Sequence, residues 1–253
     1  MLTTTLHADT ATGASTVLEL RQYKIFAGKR DAMIEVFESK LIEGQEAVGM
    51  RLLGQFRDLD DPDRFTWLRE FPRMDMRAKA LTDFYTGPIW KAHRGEANPY
   101  LEDNDNVLLL RPISDEFRLT PSPGARAAVG AQPAASGLFI VTIYYLWKDP
   151  SEGFASFFTT RLASALEAAG FDVSGAYVTE TTPNDFPALP VRQHEKVFVW
   201  IARVPDVAAA QKSQRVWEAQ TGQGSPLGRD LAKFQERQAQ TLRLSPTTRS
   251  LLR

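Results

Sequence analysis

No cysteine occurs in the 253 residues, which removes disulfides, thiolate nucleophiles, iron-sulfur clusters and Cys-ligated zinc together. Histidine is nearly as scarce, with only His7, His93 and His194. An excess of one charge is also missing: 30 Lys and Arg oppose 31 Asp and Glu, a formal net charge of -1. That balance gives no whole-chain electrostatic case for nucleic acid or an anionic membrane as a partner. No apolar run reaches membrane-spanning length, and residues 1–15 are polar and Thr-rich, without the apolar stretch of a secretory signal. The expectation is a cytoplasmic protein with a flexible tail at 1–15. A glycine-rich phosphate loop, a dinucleotide fingerprint and a nucleophile-elbow sequence are absent too, which disfavours phosphoryl transfer, hydride transfer and Ser-His-Asp hydrolysis.

What is present is a duplication. Tyr23 and Tyr144, Gly49 and Gly170, and Gly54 and Gly175 each stand 121 residues apart, whereas Trp67 and Trp200, with Pro72 and Pro205, stand 133 apart. One constant offset followed by a larger one reads as two copies with a 12-residue insertion in the second. At 43% hydrophobic and 24% charged, the chain has the composition of a globular protein with enough length for two small domains. Four segments are expected: the tail at 1–15, a first repeat at 16–113, a Pro-, Ala- and Gly-rich linker at 114–136, and a diverged second repeat at 137–253.

Within the first repeat the hydrophobic period changes in a fixed order. Residues 17–25 are strand-like, and Met33, Val36, Phe37 and Leu41 then recur at helical spacing up to Gly49, whose tolerance of positive φ suits a helix end. Residues 50–57 and 65–71 form a hairpin around Asp60-Asp61-Pro62-Asp63. Asp75 suits an N-cap for a helix bearing Ala78, Leu81, Phe84 and Tyr85, which breaks at Gly87-Pro88 and restarts over 89–98. A last strand covers 107–110. The sum is βαββαβ, the ferredoxin-like arrangement, with one bare sheet face. The second repeat follows the same order through 138–147, 173–179, 197–204 and 241–244, its insertion falling in a long hairpin loop at 181–196. Two fused units that cover each other's bare faces predict an α+β protein, a pseudo-dimeric α/β barrel made from one chain.

Glu19-Leu20-Arg21-Gln22-Tyr23, Phe65-Thr66-Trp67-Leu68-Arg69-Glu70-Phe71-Pro72, Trp90-Lys91-Ala92-His93-Arg94 and Asp105-Asn106-Val107-Leu108-Leu109-Leu110 resemble the NIPSNAP family, in that order, over most of the first repeat. The resemblance implies the dimeric α/β barrel fold, in agreement with the periodicity. It implies less about activity: family members are discussed as scaffold or signalling proteins, and relatives on the fold include cofactor-independent monooxygenases, cyclases, isomerases and haem-binding enzymes.

The copies differ where chemistry is best placed. Glu19, Arg21 and Tyr23 alternate onto one strand face, and their counterparts are Ile140, Thr142 and Tyr144. Trp67 and Arg69 share a face against Trp200 and Ala202. Trp90, His93, Arg94 and Asn98 form a helical stripe, against Gly228, Leu231, Ala232 and Glu236. Alternation does not say which strand face meets the helices. The expected site lies in the first repeat, with His93, Arg21 and Tyr23 as catalytic residues. Trp67, Arg69, Trp90, Arg94, Asn98 and Tyr144 are expected to bind the substrate. The plainer alternative pairs Glu19 with an arginine inside the barrel, makes His93 a local structural residue, and leaves the tryptophans in the core.

No cofactor or metal is expected, with haem on His93 as the alternative, and Glu102, Asp103 and Asp105 read as a solvated loop. The partner expected is a small organic molecule, with no nucleic acid and no membrane, and further self-association is left open. Two functions follow. One is a cofactor-free isomerase, cyclase or monooxygenase acting on a small aromatic or polyketide-like compound; the other is a non-catalytic binding or scaffold protein whose 181–196 loop meets partners. The enzyme is preferred.

Overall fold

Strand β1 (Val17–Ile25) is buried along nearly its whole length on both faces in the computed structural model, which describes residues 16–132, 137–222 and 224–253. The expected tail at 1–15 and the end of the expected linker lie outside those residues. Leu18 and Leu20 point into an apolar cluster shared by both halves of the chain, while Tyr23 and Ile25 point into a separate cluster with Trp67, Phe37 and Leu81. Two buried faces require material on both sides, and the topology supplies it.

β1 is followed by a helix at 30–46 (α1), strands β2 (Arg51–Asp58) and β3 (Arg64–Phe71), helices α2 (Met74–Tyr85) and α3 (Pro88–Ala97), a short β4 (Leu101–Asp103), and β5 (Val107–Pro112). The second half runs β6 (Leu138–Leu146), a helix at 154–169 (α4), β7 (Asp172–Thr179), β8 (Val197–Val204), α5 (Val207–Thr221), α6 (Pro226–Ala232) and β9 (Gln235–Pro246). All pairings are antiparallel, and the strand order β3-β2-β9-β6-β8-β7-β5-β1 closes on itself through β1 and β3. The result is an eight-stranded barrel in which each half contributes four neighbouring strands. The seams between halves, β2 with β9 and β5 with β7, are the shortest contacts of the ring.

Side-chain alternation sorts the residues. One set, including Leu20, Leu68, Leu108, Phe139, Val141, Val199 and Leu242, fills the lumen as a packed core. The other set faces outward beneath the helices. In the first half this outward set contains Glu19, Arg21, Tyr23, Trp67 and Arg69, because Glu19 sits opposite Arg69 and Arg21 opposite Trp67 across the β1–β3 ladder. In the second half Ile140 sits opposite Ala202 and Thr142 opposite Trp200.

Positions 121 residues apart adopt matching local conformations. Gly49 and Gly170 both take positive φ, at 92° and 96°, where each helix turns into the next strand. Helices α1 and α4 both loosen into a π turn, at Phe37–Leu41 and Phe158–Leu162. The first hairpin is built by its acids: the Asp58 carboxylate accepts from the backbone N–H of Asp60 and Asp61, and that of Asp61 from Asp63.

Several expectations are corrected. Asp75 does not cap α2; it lies in the first turn and pairs with Arg73. Leu101–Asp103 is not simply a solvated loop but a strand on the edge of β1, since the chain leaving α3 must pass that edge before entering β5. Glu236 belongs to β9 rather than to a helix, because α6 stops at Ala232 and the last strand is 12 residues long. The segment at 114–132 is docked: Arg118 pairs with Glu70, the Leu119 N–H donates to the Tyr177 hydroxyl at 2.8 Å, and the Leu119 side chain joins the lumen core.

Candidate functional site

The outward face of β1 and β3 brings a carboxylate into a shell of arginines. Glu19 is fully buried and accepts from Arg21 at 2.7 Å, from Arg69 at 3.0 Å through Nε, and from Arg77 of α2 at 2.7 Å. All three guanidinium groups are fully buried as well. Burial alone would push the Glu19 carboxyl up, but Arg69, Arg21 and Arg77 together hold it well below the usual carboxylate range. Burial works against the charge of Arg21, and Tyr23 and Glu19 more than restore it. Arg69 also donates to Gln45 of α1 at 2.8 Å, and its guanidinium lies 5.1 Å from the Trp67 ring centre. Arg77 spans two partners, Glu19 on one side and Asp185 with Asn184 on the other.

Asp185 belongs to the 181–196 insertion of the second half, and this loop is the roof of the site. Asn184 organises it internally, donating from its side chain to the Leu189 carbonyl at 3.0 Å and accepting from the Phe186 N–H at 3.1 Å. Phe186 stacks on Tyr85 of α2 with ring centres 6.0 Å apart, and Leu189 is buried among the first-half helices. Beneath this roof lies a cavity of about 240 Å³, walled by residues that include Tyr23, Phe37, Trp67, Tyr85, Trp90 and Asn98. Gln45 and Asn104 add polar edges.

Tyr23 joins the cavity to the arginine cluster. Its hydroxyl accepts from Arg21 Nε at 3.0 Å, which leaves the phenolic proton free to donate. Burial pushes the phenol upward, so it stays protonated around neutral pH. Trp67 packs edge-on against Tyr23 at 5.5 Å, and its Nε1 has no hydrogen-bond partner among the described residues. The Nη2 atoms of Arg21 and Arg77 are likewise buried without a partner.

Of the residues expected from sequence, Tyr23, Trp67, Trp90 and Asn98 come together in the cavity wall, with Arg21 and Arg69 in the layer behind it. His93 does not join them. It is a quarter exposed, with Nδ1 2.7 Å from Glu96. Arg94 is exposed. Neither lines the cavity, although both stand on the same helical stripe as the lining residues Trp90, Ala97 and Asn98. Tyr144 lines a different and larger cavity, of about 530 Å³, between the second-half sheet and α5 and α6. Its phenol is pushed up to about 12 by burial. That cavity has Thr142 and Thr241 on its floor and no buried arginine.

Sequence reading missed Arg77, Gln45 and the whole roof. Signals existed for the first two: Arg77 stands four and seven residues before Leu81 and Phe84, and Gln45 four after Leu41, so each is a polar residue on a buried helical stripe. The loop carried no such signal, having no apolar period. Among the described residues no group of three or more potential metal ligands converges. No helix among them is long and apolar enough to cross a membrane.

Solved structures share this architecture over nearly the full chain. A protein from Fusobacterium nucleatum, provisionally described as a monooxygenase, superposes with a TM-score of 0.57 at 10% identity, covering 92% of this chain and 93% of its own. A similarly described protein from Lactobacillus acidophilus gives 0.55 at 11% identity, covering 94% and 97%. An uncharacterized NIPSNAP-like domain protein from Burkholderia xenovorans is 24% identical over 43% of this chain and 94% of its own, with a TM-score of 0.39. No curated protein matches the chain. The sequence model of the NIPSNAP family matches residues 18–115. Residues 18–115 are therefore a NIPSNAP domain, and Glu19, Arg21, Tyr23, Arg69 and Arg77 all fall inside it.

Proposed function

We propose that this chain, read as two fused ferredoxin-like units, is a cofactor-independent enzyme acting on a small organic molecule at one site, the roofed cavity of its NIPSNAP domain. The observation that carries the reading is the Arg21–Tyr23 hydrogen bond at the cavity wall. A buried guanidinium behind a phenol that can still donate is arranged to stabilise an oxygen that gains negative charge, as a carbonyl does on becoming an enolate. Isomerases, cyclases and cofactor-free monooxygenases share that demand. Tyr23 touches the substrate oxygen, Arg21 polarises and positions Tyr23, and Trp67, Trp90 and Tyr85 hold a flat body. Glu19 is fully occupied by three arginines and serves to fix them. His93, paired with Glu96 outside the wall, is given no part in this chemistry.

The test is turnover of enolisable hydroxylated aromatic and β-dicarbonyl compounds, followed by absorbance and mass spectrometry, with Tyr23→Phe and His93→Ala as matched variants. Tyr23→Phe is expected to lose about 10²-fold or more in kcat, the usual cost of removing one donor to an oxyanion. It should cost only about 1–3 kcal/mol of stability from the orphaned Arg21 Nε. His93→Ala should be unchanged in both. Turnover by Tyr23→Phe equal to that of the parent would remove Tyr23 from the mechanism. Saturable binding with no turnover across the panel would establish the alternative, a ligand-binding protein on the same fold.

A further inference from the structure

The charge of the ligand follows from the buried groups beside the cavity, an inference that rests on reading this cavity as a small-molecule site. Arg21, Arg69 and Arg77 lie in one hydrogen-bonded cluster, and among the described residues the acids bonded to it are Glu19 and Asp185. One positive charge is left in excess, away from water, where an uncompensated ion is costly. The unmet hydrogen-bonding capacity is found at the same place: Arg21 Nη2, Arg77 Nη2 and Trp67 Nε1 are buried donors without partners among the described residues. Trp67 is in the cavity wall, and the Arg21 guanidinium carbon lies 5.3 Å from the ring centres of both Trp67 and Tyr23. The amides of Gln45, Asn98 and Asn104 also reach the cavity, but no carboxylate lines it, and the rest of the lining is mostly apolar. A volume of about 240 Å³ equals roughly eight waters at their liquid density, enough for a ligand of one substituted ring.

We infer that the cavity takes a planar aromatic monoanion, a carboxylate or an ionised enol. Its charged oxygens sit at the Tyr23 hydroxyl and Trp67 Nε1, with Arg21 behind them, and its ring lies against Trp90 and Tyr85. Asp185 is the negative group that the inserted loop already presents to Arg77, so the second half of the chain sets how much positive charge the ligand meets.

Salicylate and its neutral isostere salicylamide distinguish this by isothermal titration with the full chain. Salicylate is expected to bind at least about tenfold more tightly, since charge-assisted hydrogen bonds are roughly twice as strong as neutral ones. Asp185→Asn, at a loop side chain 27% exposed, should raise that affinity ratio several-fold, whereas a merely loosened loop would weaken both ligands alike. Trp67→Phe, which keeps a ring and removes the donor, should lower salicylate affinity more than that of salicylamide. Equal affinities, or a ratio unmoved by Asp185→Asn, would overturn the charge inference and leave the small-molecule site standing. No binding of either compound at millimolar concentration would overturn both.

Discussion

At the scale of single residues, Glu19 decides whether the site can exist. Three buried arginines at one carboxylate are tolerable only while that carboxylate is ionised, since removing one partner of a buried ionic group leaves the others uncompensated. Glu19→Gln is expected to lose about 3–5 kcal/mol in denaturant unfolding at neutral pH. The sign with pH follows from the depressed folded value of Glu19. Its contribution is complete above the ordinary glutamate value and shrinks as pH falls below it, by about 1.4 kcal/mol per pH unit until the folded value is reached. The gap between parent and Glu19→Gln should therefore be constant from pH 7 to 5 and narrow below about pH 4. A gap that widens on acidification would mean that Glu19 is not the ionised centre of the cluster. Charge and aromatic character at Glu19, Arg21, Tyr23 and Trp67 were visible in the residue string, because alternation put them on one face. Arg77 is as buried as Arg21 and was overlooked, although it stands on the apolar stripe of α2.

At the scale of elements, helices and strands were legible because their periods are local. The order of elements expected for the NIPSNAP domain is the order found, with β4 added where the chain crosses the edge of β1. The helix ends offer a matched test. Gly49 and Gly170 share positive φ, yet a Cβ at Gly49 meets nothing within 4 Å, whereas one at Gly170 comes 2.9 Å from Ser213 Oγ. Gly49→Ala should cost about 1 kcal/mol, the backbone penalty alone. Gly170→Ala should cost more, because Ser213 is buried on α5 and must yield. Equal losses in thermal or denaturant unfolding would show that Ser213 moves freely. The 181–196 insertion was legible as a loop but its order was not, for a physical reason: it has no period of its own, and its order comes from Asn184 binding within the loop and from Asp185, Phe186 and Leu189 binding to elements about a hundred residues earlier.

For the whole molecule, closure by one chain is the governing fact. Each half leaves two strand edges that only the other half satisfies, at β2–β9 and β5–β7, and each exposes half of an apolar lumen when alone. Residues 16–113 expressed by themselves are expected to form a dimer or larger species, as judged by light scattering, while the full chain needs no partner to complete its barrel. A stable monomer of the isolated half would mean that the lumen face tolerates water. The same closure explains why the halves were free to differ. Ile140, Thr142 and Ala202 replace Glu19, Arg21 and Arg69, and the ring still closes because those positions face outward and take no part in the lumen.

The sequence by itself determined the order of elements, the barrel class and the strand face that carries charge, since all three depend on periods of two and of 3.6 residues and on turn-forming residues near them in the chain. Tertiary structure alone decided that this face lies under the helices rather than in the lumen, that His93 stays out of the cavity wall while Arg77 turns in to Glu19, and that a loop from the second half roofs a cavity in the first. Those outcomes depend on packing between segments far apart in the chain, and packing of that kind leaves no period behind.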